Sequence, residues 1–243
     1  MFAILKKELI QFFTSPIGYI AMAMFFLLNS LFLWIIDGNY NIPNNQFADL
    51  SPFFNLAPWI LIFVVSAISM RSFSEEFKSG SIETLLTKPV KNQHIVMAKF
   101  LAVWGVAKIM LVPTFIYAYS VQALTVEGQQ VDWGTILSAY LGLIVIMGVF
   151  SAIGIFASLL FNNQINAFLV GLFLMFLFYF GFSGIGNFNL LGSLDAFVQN
   201  LSIETHYQNM IKGFIKLSDI VYLLSLIFVF LWGSNWLLNK KIG

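Results

Sequence analysis

Two histidines, His94 and His206, and a scatter of serines are the side chains in this sequence suited to hydrolytic or metal chemistry. A serine nucleophile needs a base within hydrogen-bond reach and a glycine–serine turn that exposes it. Neither histidine belongs to such a motif. Apolar segments long enough to cross a bilayer separate the two, which puts them on opposite sides of a membrane, where they cannot share one ion. No metal ligand set is assigned, and both read as ordinary polar residues. Zero cysteines remove disulfides, thiol nucleophiles and thiolate ligands. A Gly-x-x-x-x-Gly-Lys-Ser/Thr loop is also missing, so the chain should not hydrolyse ATP unaided. An intramembrane hydrolase stays as the rival from the enzyme class, with no catalytic residue to name.

Charge is the second kind of chemistry, and it gathers in "RSFSEEFKSGSIETLLTKPVKNQHIVMAKF", residues 71–100. This stretch reads in three pieces. Residues 71–78 continue an apolar helix, with Glu75 and Glu76 on it, and Gly80 is the kind of residue that ends one. Ser81 can cap a short helix over 82–88, with Glu83 in its first turn where the helix dipole favours an acid. Pro89 stops it, and Asn92 can cap the helix that follows. Such a helix is about 10 Å long at roughly 1.5 Å per residue. Ile82, Leu85 and Leu86 share one side that the helix cannot bury within itself. That side either dips into lipid or docks on a cytoplasmic protein.

The elements that must position these groups are transmembrane helices. Hydrophobic residues make up 59% of the 243 and charged ones 9%, far below the roughly 25% charged of soluble domains. A net charge of +1 gives no bulk attraction to nucleic acid. Six apolar runs, 17–36, 53–70, 95–121, 133–161, 165–182 and 220–238, are each long enough to cross a bilayer. Their continuity excludes the alternating strands of a membrane barrel. Length and composition exclude a cleaved signal in the first run, and no additional soluble domain is expected in 1–243. With both ends on one side, that side holds Lys6, Lys7, Arg71, Lys78, Lys88, Lys91, Lys240 and Lys241, against Lys212 and Lys216 on the other. The positive-inside rule makes the first side cytoplasmic.

Smaller features fill in the architecture. Phe2, Leu5, Leu9, Phe12 and Phe13 share a helical face opposite Lys7 and Gln11, and Ser15-Pro16 marks a break, so 1–15 is expected to form an interfacial amphipathic helix. In the fourth span Ser138, Gly142, Gly148, Ser151, Gly154 and Ser158 permit close helix approach, inside the bundle or at a dimer seam. The mixed segment 183–218 is expected to carry short helices on or in the outer leaflet. Lys99 lies near the cytoplasmic start of its span and can snorkel. Lys108 lies about 13 Å deeper on the opposite face, where it must meet the bundle interior, a translocation path or a polar partner.

The run Glu75-Glu76, Gly80-Ser81-Ile82-Glu83, Leu85-Leu86, Lys88-Pro89-Val90 and Lys99-Phe100 resembles the signature of type-2 ABC transporter permeases, with Ser81 where threonine is commoner. "SAIGIFASLLFNNQINAF" and "HYQNMIKGFIKLSDIVY" are similar to the same family, and "KKELIQFFTSPIGYI" to its gliding-motility branch and copper-maturation relatives. The resemblance implies an all-α permease of six spans in a bacterial inner membrane, serving export or conformational work, with drug or lipid export among the alternatives. It implies a cytoplasmic ABC ATPase that carries ATP and Mg, a second membrane subunit (a copy or an unlike partner), and no cofactor on this chain. By the same resemblance, 71–94 holds a coupling helix that docks on the ATPase, with Glu75, Glu76 and Glu83 as contacts.

Overall fold

A computed structural model describes residues 1–45, 49–82, 91–125, 131–188 and 192–242, and every regular element among them is helical. Six helices are long and apolar enough to cross a membrane: Pro16–Trp34, Ser51–Ser79, Asn92–Ala123, Trp133–Leu160, Gln164–Asn187 and Leu217–Lys241. Among the described residues both ends of the chain lie at one end of the bundle, where Lys7 reaches Glu76 and Asn239 accepts from Asn92.

Helix α1 (Phe2–Thr14) ends at Ser15, whose extended backbone turns the chain, and Pro16 opens α2 (Pro16–Trp34) at a position where its missing N–H costs nothing. The second span is α3 (Ser51–Ser69), and α4 (Arg71–Ser79) carries it onward until Gly80 closes it at φ 71°. That left-handed geometry suits glycine at a helix end. The third span comprises α5 (Asn92–Leu111), a 3-10 turn at Val112–Thr114 where Pro113 cannot donate, and α6 (Phe115–Ala123). Asn92 does not cap α5: its amide reaches Asn239 Oδ1 at 2.7 Å instead.

Helix α7 (Trp133–Leu160) is the central post, packed against the second, third, fifth and sixth spans. Asp132 caps it by accepting from the Thr135 hydroxyl and from the amides of Gly134 and Thr135, which hold its carboxyl below the ordinary range. The small residues of α7 face partners within the chain. A Cβ on Gly142 would lie 2.9 Å from the Tyr207 ring, one on Gly148 would lie 3.0 Å from Ile227, and Gly154 abuts Ser69. They therefore serve close packing inside the bundle.

The fifth span starts as α8 (Gln164–Phe176), passes through a π turn at Leu177–Gly181 and continues as α9 (Phe182–Asn187). Then come α10 (Asp195–Gln199), α11 (Ile203–Ile211) and the sixth span, α12 (Leu217–Ile242). The apolar face of α11 does not lie in lipid: Ile203, Tyr207, Met210 and Ile211 are buried against the protein. The Tyr207 hydroxyl donates to Phe54 O at 3.1 Å, the carbonyl that Pro58, four residues on and lacking an N–H, leaves unpaired. Ser202 likewise donates to Tyr179 O inside the π turn.

Candidate functional site

Lys99 is expected to snorkel to water, yet it is 1% exposed. Its ammonium group donates to Glu8 Oε1 at 2.7 Å and to Ser72 O at 2.6 Å, and Glu76 Oε2 lies 3.0 Å away as an ion-pair partner. The Phe73 ring lies 4.9 Å from the same nitrogen. Burial of a lysine requires such pairing, because an isolated ammonium in a low-dielectric interior is strongly disfavoured. The physical reason for the departure is that α1 folds back along α5 and covers the route to solvent that a lone third span would leave open.

The node has a second tier. Lys7 Nζ sits 3.3 Å from Glu76 Oε1, so Glu76 bridges two lysines from different elements. Arg71 holds Glu75 through two bonds, Nε at 2.7 Å and Nη2 at 2.8 Å, and its Nη1 donates to Ser15 Oγ at 2.9 Å. Arg71 thus fastens α4 to the elbow between α1 and α2. Gly18 completes that elbow, since a Cβ there would meet Phe12 O at 2.5 Å. Three cations and three carboxylates from α1, α4 and α5 close on one another beside a cavity of about 290 Å³.

The residues assigned to docking fall into different places. Glu75 and Glu76 turn toward this chain's own cations; Glu76 is 8% exposed, whereas the Glu75 side chain, held by Arg71, keeps 33% of its surface in solvent. Gly80 terminates α4, and Ser81 is exposed with its hydroxyl 2.9 Å from that of Ser79. Ile82 is 7% exposed and belongs to the chain's own core, so it does not await a partner. Glu83, Leu85, Leu86 and Pro89 lie outside the described residues. Sequence reasoning missed Glu8, the closest carboxylate to Lys99; the available signal was a lone acid in an otherwise basic and apolar amino-terminal helix.

Lys108 rests 3.8 Å from the centre of the Trp104 ring, and that indole is fixed by donating to Ile144 O at 2.8 Å. A cation over an indole face is a favourable arrangement where water is scarce, and Lys108 lines neither this cavity nor the polar one at the opposite end of the bundle. His206 is held by Asp219 at 2.8 Å and by Asn200 O at 2.9 Å and stacks on Tyr222, joining α11 to α12, while His94 is exposed at the start of α5. Among the described residues no cluster of His, Cys, Asp or Glu could hold a metal ion.

Six membrane-length helices among the described residues, an amphipathic elbow and a charged seam at the end bearing the termini are the build of a polytopic membrane subunit. The model of the ABC-2 family transporter proteins matches residues 2–241, and the chain belongs to that family. It is a membrane permease of an ABC transporter, the transporter's membrane subunit and not itself catalytic, and the family implies an ABC ATPase and a membrane partner. No curated protein matches the chain.

Proposed function

We propose that residues 71–94 receive a cytoplasmic ABC ATPase, which holds ATP and Mg, and that the node around Lys99 passes its motion into the spans. The observation that carries this reading is the three-way tie of Lys99 to Glu8 on α1 and Glu76 on α4, made from α5. The elements so joined include α4 and α5, which flank residues 80–91 on both sides. A push on 80–90 therefore reaches α4 and α5 together and, through Glu8 and Arg71, the elbow. Glu75 and Glu76 act in this reading as internal transmitters, while Glu83, with Leu85, Leu86 and Pro89, belongs to the docking surface. Both termini and the charged stretch face the cytoplasm of a bacterial inner membrane, as the positive charges favour. The second membrane half is a copy of this chain or an unlike permease, and the work done is export or mechanical transmission in a gliding-motility system.

Glu83→Lys tests the docking surface. The expected result is at least a fivefold loss of ATPase co-purification or of coupled ATP hydrolysis, with the permease still folded. Unchanged values of both overturn the proposal.

A further inference from the structure

The polar cavity at the end of the bundle away from the termini measures about 510 Å³, a size that suits a small ligand. Helix periodicity builds its walls: Ser51, Asn55 and Trp59 follow one another by single turns on α3, and Glu204 and Gln208 are one turn apart on α11. Asp49, just before α3, is exposed, so water reaches the cavity from that rim. Trp59 lies about 12 Å along α3 from Ser51, at roughly 1.5 Å per residue. There it meets Tyr179 of the π turn edge to face, with ring centres 5.4 Å apart.

Charge and hydrogen bonding select the ligand. Asp49 and Glu204 border the cavity, no Lys, Arg or His lines it, and neither acid has an ion-pair partner among the described residues. Glu204 accepts from Ser183 on one oxygen at 2.7 Å, and its other oxygen has no partner among those residues. Gln208 donates to Asn55 Oδ1 at 3.0 Å, which leaves its own carbonyl oxygen as a further acceptor. Tyr179 is 1% exposed, yet its hydroxyl makes no hydrogen bond among the described residues, and it lies within electrostatic reach of Glu204. A buried hydroxyl without a partner is unfavourable, and a ligand with N–H donors removes that penalty. The Trp59 indole attracts a cation. A metal ion fits less well: hard cations take six or more oxygens, and no three of His, Cys, Asp and Glu gather among the described residues. We propose that this cavity binds the primary ammonium group of an amine, with Glu204 as counter-charge, the Tyr179 hydroxyl as acceptor and Trp59 as aromatic wall. The inference does not rest on the ATPase reading, because it concerns the permease alone.

Full-length permease in phosphatidylglycerol nanodiscs should bind n-butylamine saturably at neutral pH, measured by ligand-observed NMR, at least tenfold more tightly than n-butanol. Butyltrimethylammonium, charged but without N–H donors, should bind at least threefold more weakly than the amine. Glu204→Gln keeps an acceptor for Ser183 and should lower the affinity at least tenfold. Tyr179→Phe breaks no side-chain hydrogen bond of the described residues, so it should lower the affinity at least threefold with thermal stability unchanged. Should Glu204→Gln fail to fold, Tyr179→Phe decides. Butanol bound as tightly as butylamine, either variant binding like the parent, or calcium or glucose bound more tightly than the amine would each overturn the proposal. Added phosphatidylethanolamine separates two sources of the same group: competition with butylamine assigns the site to a lipid headgroup, and its absence assigns it to a soluble amine. Glu83→Lys should leave amine binding intact, which separates this result from failure of ATPase docking.

Discussion

At the end of the bundle that carries the termini, α1, α4 and α5 meet through full charges; at the opposite end α11 meets α3 and α7 through neutral groups. Lys99, Glu8 and Glu76 close the first junction at 2.7 and 3.0 Å. The second uses Tyr207 donating to Phe54 O, Gln208 to Asn55 Oδ1 and Ser138 to Met210 O, with the Tyr207 ring set against Gly142. Both junctions pair buried polar groups, though Glu76 Oε2 has an ion-pair contact and no hydrogen bond, and they differ in what a displacement costs. Moving a neutral donor forfeits one hydrogen bond, whereas parting a buried ion pair strands a charge unless a new partner is reached at once. A charged node with two lysines and two acids has such alternatives within it, so it can exchange partners. The neutral junction has one arrangement for each donor. The difference suits the first end to movement and the second to anchorage.

Lys99→Met should produce the largest effect, about 3–5 kcal/mol of destabilisation, because it strips Glu8 of its cation and leaves the buried Glu76 with the more exposed Lys7 alone. Denaturant titration of the reconstituted protein measures it. Adding Glu8→Gln and Glu76→Leu should recover most of the loss, since apolar replacement of a buried charge set is commonly neutral. Under the coupling reading, the triple variant should fold and yet lose ATP-coupled activity. A triple variant as unstable as the single one would show that stranded charge is not what the node controls.

Tyr207→Phe probes the neutral junction and should cost about 1–3 kcal/mol, the penalty for an unsatisfied buried acceptor. The carbonyl it abandons is Phe54 O, which Pro58 cannot serve. The double variant Tyr207→Phe/Pro58→Ala restores a backbone donor to that carbonyl and should recover part of the loss. A Tyr207→Phe protein as stable as the parent would remove the contrast between the two ends.

What the sequence makes legible divides along physical lines. Bilayer thickness forces run length, so the apolar segments 53–70 and 133–161 anticipate Ser51–Ser69 and Trp133–Leu160 within two residues at each end. Local backbone chemistry is equally readable: Pro16 opens a helix, Gly80 closes one, and Pro113 interrupts one. Partner choice is not. Lys99 finds Glu8 across 91 positions and Tyr207 finds Phe54 across 153, and nothing local marks either pair. Depth alone predicts that Lys99 reaches water, because that argument weighs lipid against solvent and omits a helix folding back over the site. Ile82 illustrates the same gap, since its amphipathic position is compatible with a partner's groove and with the chain's own core.

Lys7→Ala sharpens the comparison at its weakest point. The Lys7 side chain is 54% exposed and its pair with Glu76 spans 3.3 Å, so solvent and salt screen it and the stability cost should stay below about 1 kcal/mol. Removing this cation does not strand Glu76, which keeps Lys99 at 3.0 Å. If the node works by exchanging partners, Lys7 is the alternative that Glu76 turns to when Lys99 moves. Lys7→Ala should then reduce coupled ATP hydrolysis more than its small stability cost suggests, and the reduction should shrink in 0.5 M salt, where the parent's outer pair is itself weakened. Equal coupling in parent and variant at low salt would confine Lys7 to the surface and leave the exchange without its second seat.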